Sequence, residues 1–405
     1  MQVPFQPPPR DPRSDEFLGE IPRELFDDTL YESCELVDRY ALDLAYELAH
    51  ALGIARRLES PTGATAAEIA EERGFAPRFA PALEWLLARL AADGALERLG
   101  EERPPRWRAP RPLRHGEPAE LRALGSAIDP EIARTLDLLE AAASSWPAVA
   151  EGRATGEQEL FGAGRIALWI AYFHNRNRPY SMSNRLTAIA VANRFPAGGR
   201  ILEVGAGAGS ATEALLEELD RRGRLGEVSA YDATEPSPFF RRRAERELAA
   251  RFPGAPLRFS AFDIDRPADE QGLAGGYDVV LGVNVLHVAR SLGASLASLR
   301  SLLAPGGWLI AGECVRLFPG QPVAADVVFQ IFKGFVEVET DPELRPTHGF
   351  LEPGAWQRAL EAAGYAEVDV IPNVERIRDY YPRFSAAVVV GRAPGHAPSA
   401  APHEP

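Results

Sequence analysis

Cysteine is scarce in this chain. Its 405 residues contain two, Cys34 and Cys314, far apart and outside any CxxC spacing. That excludes a disulfide framework and a cysteine zinc site, and it fits a reducing cytoplasm. Long apolar runs are lacking too: no stretch approaches the roughly 18 uninterrupted apolar residues of a membrane span. The opening "MQVPFQPPPRDPRSDEF" has no apolar h-region, so no signal peptide is expected. Positive charge is in deficit, with a formal net charge of −14, which argues against a nucleic-acid partner. The one basic cluster, Arg241, Arg242, Arg243, Arg246 and Arg251 in "FFRRRAERELAARF", reads as a solvated helix face. There is no internal repeat and no set of metal ligands at fixed spacing, so no metal is expected. What is present, 46% hydrophobic and 25% charged residues, is an ordinary globular composition. The length suits two domains, and a cytoplasmic, intracellular protein is expected.

Proline at positions 4, 7, 8, 9 and 12 points to a disordered tail over 1–28, and "APGHAPSAAPHEP" to another over 394–405. From 29 to 115 the pattern is helical. Leu36, Tyr40, Leu44 and Leu48 form one apolar stripe, Thr65 and Glu68 a capping box, and Leu83, Leu86, Leu87 and Leu90 a further stripe after Pro81. "GALERLGEERPPRWRAP" then reads as a small hairpin, which completes a winged helix. Its groove-facing helix carries mostly apolar surface, where reading bases needs Arg, Lys, Asn or Gln. An apolar surplus there suits burial against a second subunit, so a homodimer is expected. Residues 116–195 read as a helical linker and lid. From 196 to 393, β-rich runs alternate with helical ones, which implies an α/β fold with a mostly parallel, Rossmann-like sheet. Ligands of such sheets bind at the carboxyl ends of the strands.

"ILEVGAGAGSATE", from Ile201 to Glu213, places Gly205, Gly207 and Gly209 just past the first strand of that sheet. A dinucleotide fingerprint fails, because Ser210 stands where the third glycine belongs, and a Walker loop fails for want of a lysine. Glu203 at the strand end repels a pyrophosphate and attracts a ligand carrying an ammonium and a sulfonium. The second strand ends in "YDATEPS", where Glu235, or secondarily Asp232, can accept both hydroxyls of a ribose. After the third, "AFDID" offers Asp263 for an exocyclic amine, with Phe262 or Ile264 packing on the ring. Carboxylates at three successive strand ends suit S-adenosylmethionine (SAM).

At this point the chain resembles class I SAM-dependent methyltransferases. "ILEVGAGAGSATEALLEEL", "YDATEPSPFF", "FDIDRPADEQG", "YDVVLGVNVLHVA" and "LRSLLAPGGWLIAGE" are similar in order and spacing to the C-methyltransferase domains of polyketide synthases. "AYELAHALGIARRL" and "TAAEIAEERGFAP" resemble the winged-helix dimerisation domain of small-molecule O-methyltransferases. The resemblance implies a methyltransferase (EC 2.1.1) of natural-product metabolism with SAM as cofactor and S-adenosylhomocysteine (SAH) as product. It also implies His287 in "NVLHVA" as general base, because a histidine at the matching position serves so in both families. Glu313, at the end of "GGWLIAGE", matches the partner of that base in polyketide C-methyltransferases. A carboxylate there orients the imidazole and stabilises its protonated form. Asn284 is expected to hold SAM or the substrate carbonyl. Tyr180 and Asn184 match positions that line the pocket in related domains, and His348 in "RPTHGF" is a candidate for facing substrate.

The core motifs favour methylation of a carbon acidified by neighbouring carbonyls, on a small-molecule or carrier-bound acceptor. The front end favours a phenol or enol oxygen. Two other classes stay open: a SAM-binding enzyme of the same fold that transfers no methyl group, and a DNA-binding regulator that senses SAM.

Overall fold

A computed structural model describes residues 16–395 apart from 102, 163 and 319. The proline-rich residues 1–15 and the terminal residues 396–405 lie outside the described residues. The N-terminal part contains α1 (Asp28–Ala51), α2 (Ala55–Leu58), α3 (Ala66–Arg73) and α4 (Ala80–Ala92), then a hairpin of β1 (Glu97–Leu99) and β2 (Arg106–Arg108). Asp27 caps α1 by accepting from the Leu30 N–H at 2.9 Å. Thr65 and Glu68 close the capping box of α3, which stops at Gly74 with φ +67°. Ala64 bridges Trp107, adding a third short strand to the hairpin. This is the topology of a winged helix.

Helices α5 (Pro118–Ile128), α6 (Ala133–Ala150), α7 (Gly156–Leu160), α8 (Ile166–Tyr172) and α9 (Arg178–Arg194) follow and lead into the sheet. The sheet comprises β3 (Arg200–Val204), β4 (Ala230–Thr234), β5 (Leu257–Ser260), β6 (Tyr277–Val283), β7 (Leu303–Cys314), β8 (Ala366–Ile371) and β9 (Ala386–Arg392). Their order is β5-β4-β3-β6-β7-β9-β8, with every pairing parallel except those made by β9. The crossovers carry α10 (Ser210–Arg221), α11 (Pro238–Arg251) and α12 (Leu292–Leu302). Beyond β7 come the short helices α13 (Asp326–Phe329) and α14 (Lys333–Val336), then α15 (Pro353–Ala362) and α16 (Val374–Ile377). Strand order reverses between β3 and β6, so a crevice opens at the carboxyl ends of β3, β4, β5 and β6.

Two features depart from the expectations. Residues 16–27, expected within the disordered tail, are packed: Leu18, Ile21 and Phe26 are buried, and Phe17 stacks on Tyr380 at 5.3 Å. Apolar side chains at these spacings find a groove beside α16, and the Asn373 N–H donates to the Phe17 carbonyl.

The second departure concerns α4. Leu83, Leu86, Leu87 and Leu90 are fully buried within the chain itself, in one core with α1, α6 and the segment 323–350. Trp85 Nε1 donates to Asp326 at 2.9 Å, Trp146 Nε1 donates to the Val327 carbonyl, and Arg316 forms a buried ion pair with Asp326. The segment after β7 thus folds back over the winged helix and covers the apolar stripe of α4 from within the chain. The same burial covers the helix that a DNA-reading winged helix inserts into the major groove.

Candidate active site

The glycine turn after β3 is shaped by close approach. Gly205 adopts φ +65°, and a Cβ there would lie 2.5 Å from Val285 Cγ2. Gly207, at φ +55°, has open space on its Cβ side and lines a cleft of about 360 Å³. Gly209, at φ +89°, caps the N-terminus of α10. An L side chain is strained at each of these positions.

Glu235 sits on the wall of this cleft, one oxygen accepting from the Gly207 N–H at 3.0 Å and the other from the Ser237 N–H at 2.8 Å. Burial pushes its carboxyl above the usual carboxylate range. Phe262, Asp263 and Ile264 line the same cleft, and Asp263 accepts from the Asp265 N–H at 3.0 Å. Gln271 braces this loop by bonding both the N–H and the carbonyl of Asp263, each at 2.8 Å. Asp232 is held instead by the Tyr277 hydroxyl at 2.7 Å, and it is not on the cleft wall.

Glu203 is placed differently from the expectation of direct ligand contact. Its side chain points beneath the turn, where the hydroxyls of Thr212 and Tyr231 each donate to one carboxylate oxygen at 2.6 Å. It is almost fully buried and does not line the cleft. Burial pushes its carboxyl upward, partly offset by these two donors.

A second cavity of about 440 Å³ lies between the sheet and the helical part. The walls of the two cavities share Phe161, Phe173, Tyr180, Asn284 and Val288. Most of the second lining is apolar, including Val37, Leu139, Trp169, Val328, Phe329 and Phe332. Such a volume and lining are those of a small-molecule site.

His287 lies on the wall of this second cavity, in a short 3-10 turn (Leu286–Val288) beyond β6. It is 2% exposed, and its Nδ1 is 2.7 Å from Glu313 Oε2. Glu313, at the end of β7, is fully buried, and its Oε1 accepts the N–H groups of Val285 at 3.2 Å and Leu286 at 2.8 Å. The parallel pairing of β6 with β7 brings these residues together although they are 26 positions apart. With a carboxylate on Nδ1, the proton belongs there, and the nitrogen left to present a lone pair to the cavity is Nε2. Phe350 and Phe335 flank the ring with centroids at 4.8 and 5.9 Å.

Asn284 adopts φ +53°, unusual for a non-glycine residue, and its Oδ1 accepts the Cys314 N–H at 2.8 Å. The Tyr180 hydroxyl bonds Asn284 and Ser210, and burial pushes its ionisation well upward. Asn184 and His348, by contrast, reach neither cavity. Asn184 is buried and donates to Asn175 Oδ1 at 2.8 Å, on the face of α9 turned toward α10. His348 Nε2 pairs with Gln330 Oε1 at 3.0 Å behind Phe335, and burial pushes its pKa down. Sequence reasoning missed Phe161, Phe173, Phe240 and Val285 as wall residues. The aromatic density of "WIAYFHNRNRPY" was the available signal for one of them. Among the described residues no group of three or more His, Cys, Asp or Glu side chains could hold a metal ion, and no helix is long and apolar enough to cross a membrane.

Residues 202–309 match the model of a methyltransferase domain. That match runs from β3 into β7 and takes in the glycine turn and His287. The chain is 32% identical over 171 residues to polyketide synthase PksM of Bacillus subtilis (strain 168), covering 42% of this chain and 4% of that protein. It is 29% identical over 248 residues to the polyketide methyltransferase ustM of Ustilaginoidea virens, covering 59% of this chain and 53% of that one. The chain therefore spans only a small part of the synthases it matches and about half of ustM. The fold is like that of the CurJ carbon methyltransferase, with a TM-score of 0.76, 24% identity, and coverage of 94% of this chain and 96% of the other.

Proposed function

We propose that this protein transfers a methyl group from SAM to a carbon acidified by adjacent carbonyls, on a polyketide-like acceptor that is free or carrier-bound. The observation that carries this reading is the His287–Glu313 pair on the wall of an apolar cavity that meets the glycine-turn cleft at Tyr180 and Asn284. A relative named as a polyketide methyltransferase supports the acceptor class, and the name of a protein of similar fold, a carbon methyltransferase, agrees with the choice of carbon.

The cleft suits SAM. Gly207 leaves room for close backbone approach, Glu235 retains lone pairs for the ribose hydroxyls, and Asp263 stands beside Phe262 and Ile264 for the amino-purine. Glu203 braces the turn from below. When bound, SAM supplies a methyl group that is already strongly electrophilic. The remaining task for the chain is a nucleophile in line with it. Neutral His287 takes the acceptor's proton on Nε2, Glu313 holds Nδ1–H and stabilises the imidazolium that forms, and the aromatic walls exclude water. Asn284 and Tyr180 position the groups that meet at the junction.

Glu235→Ala is expected to weaken SAH binding by about 10- to 100-fold, the size of hydrogen bonds to a charged acceptor. Titration calorimetry measures this directly. Burial raises the unliganded carboxyl, whereas incoming hydroxyls favour its charged form, so wild-type affinity should rise with pH through that ionisation. Glu235→Ala should flatten that dependence. The function itself is tested by where a labelled methyl group lands: with a β-ketoacyl thioester as acceptor, it is expected on the α-carbon.

A further inference from the structure

Arg345 carries a charge that the reading above does not use. Its side chain is 1% exposed, yet among the described residues it makes no ion pair within 4.0 Å. Its guanidinium donates instead to two backbone carbonyls of the turn that carries the proposed base, Ala289 at 2.5 Å and His287 itself. A third bond from the same segment, Glu339 N–H to the Arg290 carbonyl at 2.8 Å, completes a clasp on residues 287–290. The clasp is built locally: the backbones of Asp341 and Arg345 exchange hydrogen bonds, and the Asp341 carboxylate accepts the N–H groups of Glu343 and Leu344.

We propose that Arg345 is a positioning residue for His287, one that fixes the turn carrying the imidazole and, as a buried cation, opposes its premature protonation. The proposal rests on the reading of His287 as the base. A base must be neutral when substrate arrives, and a carboxylate as near an imidazole as Glu313 is, 2.7 Å from Nδ1, attracts a second proton in general. A fixed positive charge within the field of Glu313 offsets part of that attraction. Burial pulls the Arg345 ionisation down to about 10, with Glu313 and Asp265 pushing it back up, so the guanidinium stays charged at neutral pH. The other charged or titratable groups around the turn are Asp265, which accepts the Arg290 N–H; the exposed Arg290–Glu339 pair; the buried Arg316–Asp326 pair beyond Phe350; Cys314 beside Glu313; His348 behind Phe335; and Tyr180. Of these cations, only Arg345 bonds the carbonyl of the base.

The test follows the imidazole itself. Full-length protein with 13C-labelled histidines is titrated by NMR in the presence of SAH, and His287 is assigned among the seven histidines by its loss in His287→Ala. In Arg345→Gln, which removes the charge, the His287 midpoint is expected to move up by roughly half to one pH unit. In Arg345→Lys, which keeps the charge but not the fork, it should stay with the wild type while kcat falls with little change in KM. The acidic limb of the kcat profile should follow the NMR midpoint. An Arg345→Gln titration that overlays the wild type overturns the electrostatic role, and an Arg345→Lys enzyme with unchanged kcat overturns the clasp. Should Arg345→Gln fail to fold, the lysine variant still decides the clasp. If His287→Ala keeps full methyl transfer, the fault lies with the reading of the base, which separates the two failures.

Discussion

His287→Ala is expected to lower methyl transfer by about 10²- to 10⁴-fold, the range assigned to a positioned general base. SAH affinity should stay close to that of the wild type. The separation follows from the geometry. His287 lines the cavity beside the cleft but is absent from the cleft wall, where the glycine turn, Glu235 and the loop at Phe262–Asp265 lie. Truncation removes Nε2 without touching any of those groups. Because the ring packs between Phe335 and Phe350, the alanine variant also leaves a void, and a modest fall in melting temperature should accompany it. Single-turnover methyl transfer with SAH calorimetry on the same sample separates the two effects. A variant that transfers methyl groups at the wild-type rate would remove His287 from the mechanism.

Glu313→Gln should produce a loss of similar order by another route. The glutamine carbonyl can still accept the Val285 and Leu286 N–H groups that now bond Oε1, so the turn after β6 should hold. Its NH₂ then faces Nδ1, where an acceptor is needed. The imidazole answers by moving its proton to Nε2, and the lone pair is lost from the cavity side. Glu313→Ala goes further, leaving two buried N–H groups without an acceptor at about 1–3 kcal/mol each, and should lower the melting temperature markedly. If the two residues act as a unit, His287→Ala with Glu313→Gln should be little worse than the worse single variant. Additive losses would mean that Glu313 acts elsewhere.

Much of this site was readable before any fold was known, because each part is short and local. The glycines at 205, 207 and 209 sit at positive φ where the strand turns back into a helix, a constraint that local sequence records. Glu235, Asp263, Asn284, His287 and Glu313 each close a β-rich run, and parallel pairing gathers such ends along one edge of a sheet. Side-chain direction was not readable in the same way. Glu203, one position before the strand end, turns toward Tyr231 on the neighbouring strand and Thr212 on the following helix, and so brings its charge beneath the turn. Asn184 and His348 find side-chain partners, Asn175 and Gln330, that no spacing rule pairs with them.

The fold-back of the segment after β7 is still less visible in the sequence. It depends on one carboxylate, Asp326, meeting Trp85, which precedes it by 241 residues, and Arg316 at once. A contact of that sequence separation leaves no periodic trace. For the same reason nothing local in the sequence marks the apolar stripe of α4 as covered by the chain itself. Arg345 has no local signature at all, since its partners are backbone carbonyls.

The measurement that tests the central claim most directly is the position of a transferred label. The protein is given SAM with a 13C-methyl group, a β-ketoacyl thioester and a simple phenol in competition, and the products are read by NMR. Label on the α-carbon of the thioester, lost in His287→Ala, is the expected result. Label on the phenol oxygen with none on carbon, or no transfer to any acceptor by a protein that binds SAH, would contradict the account.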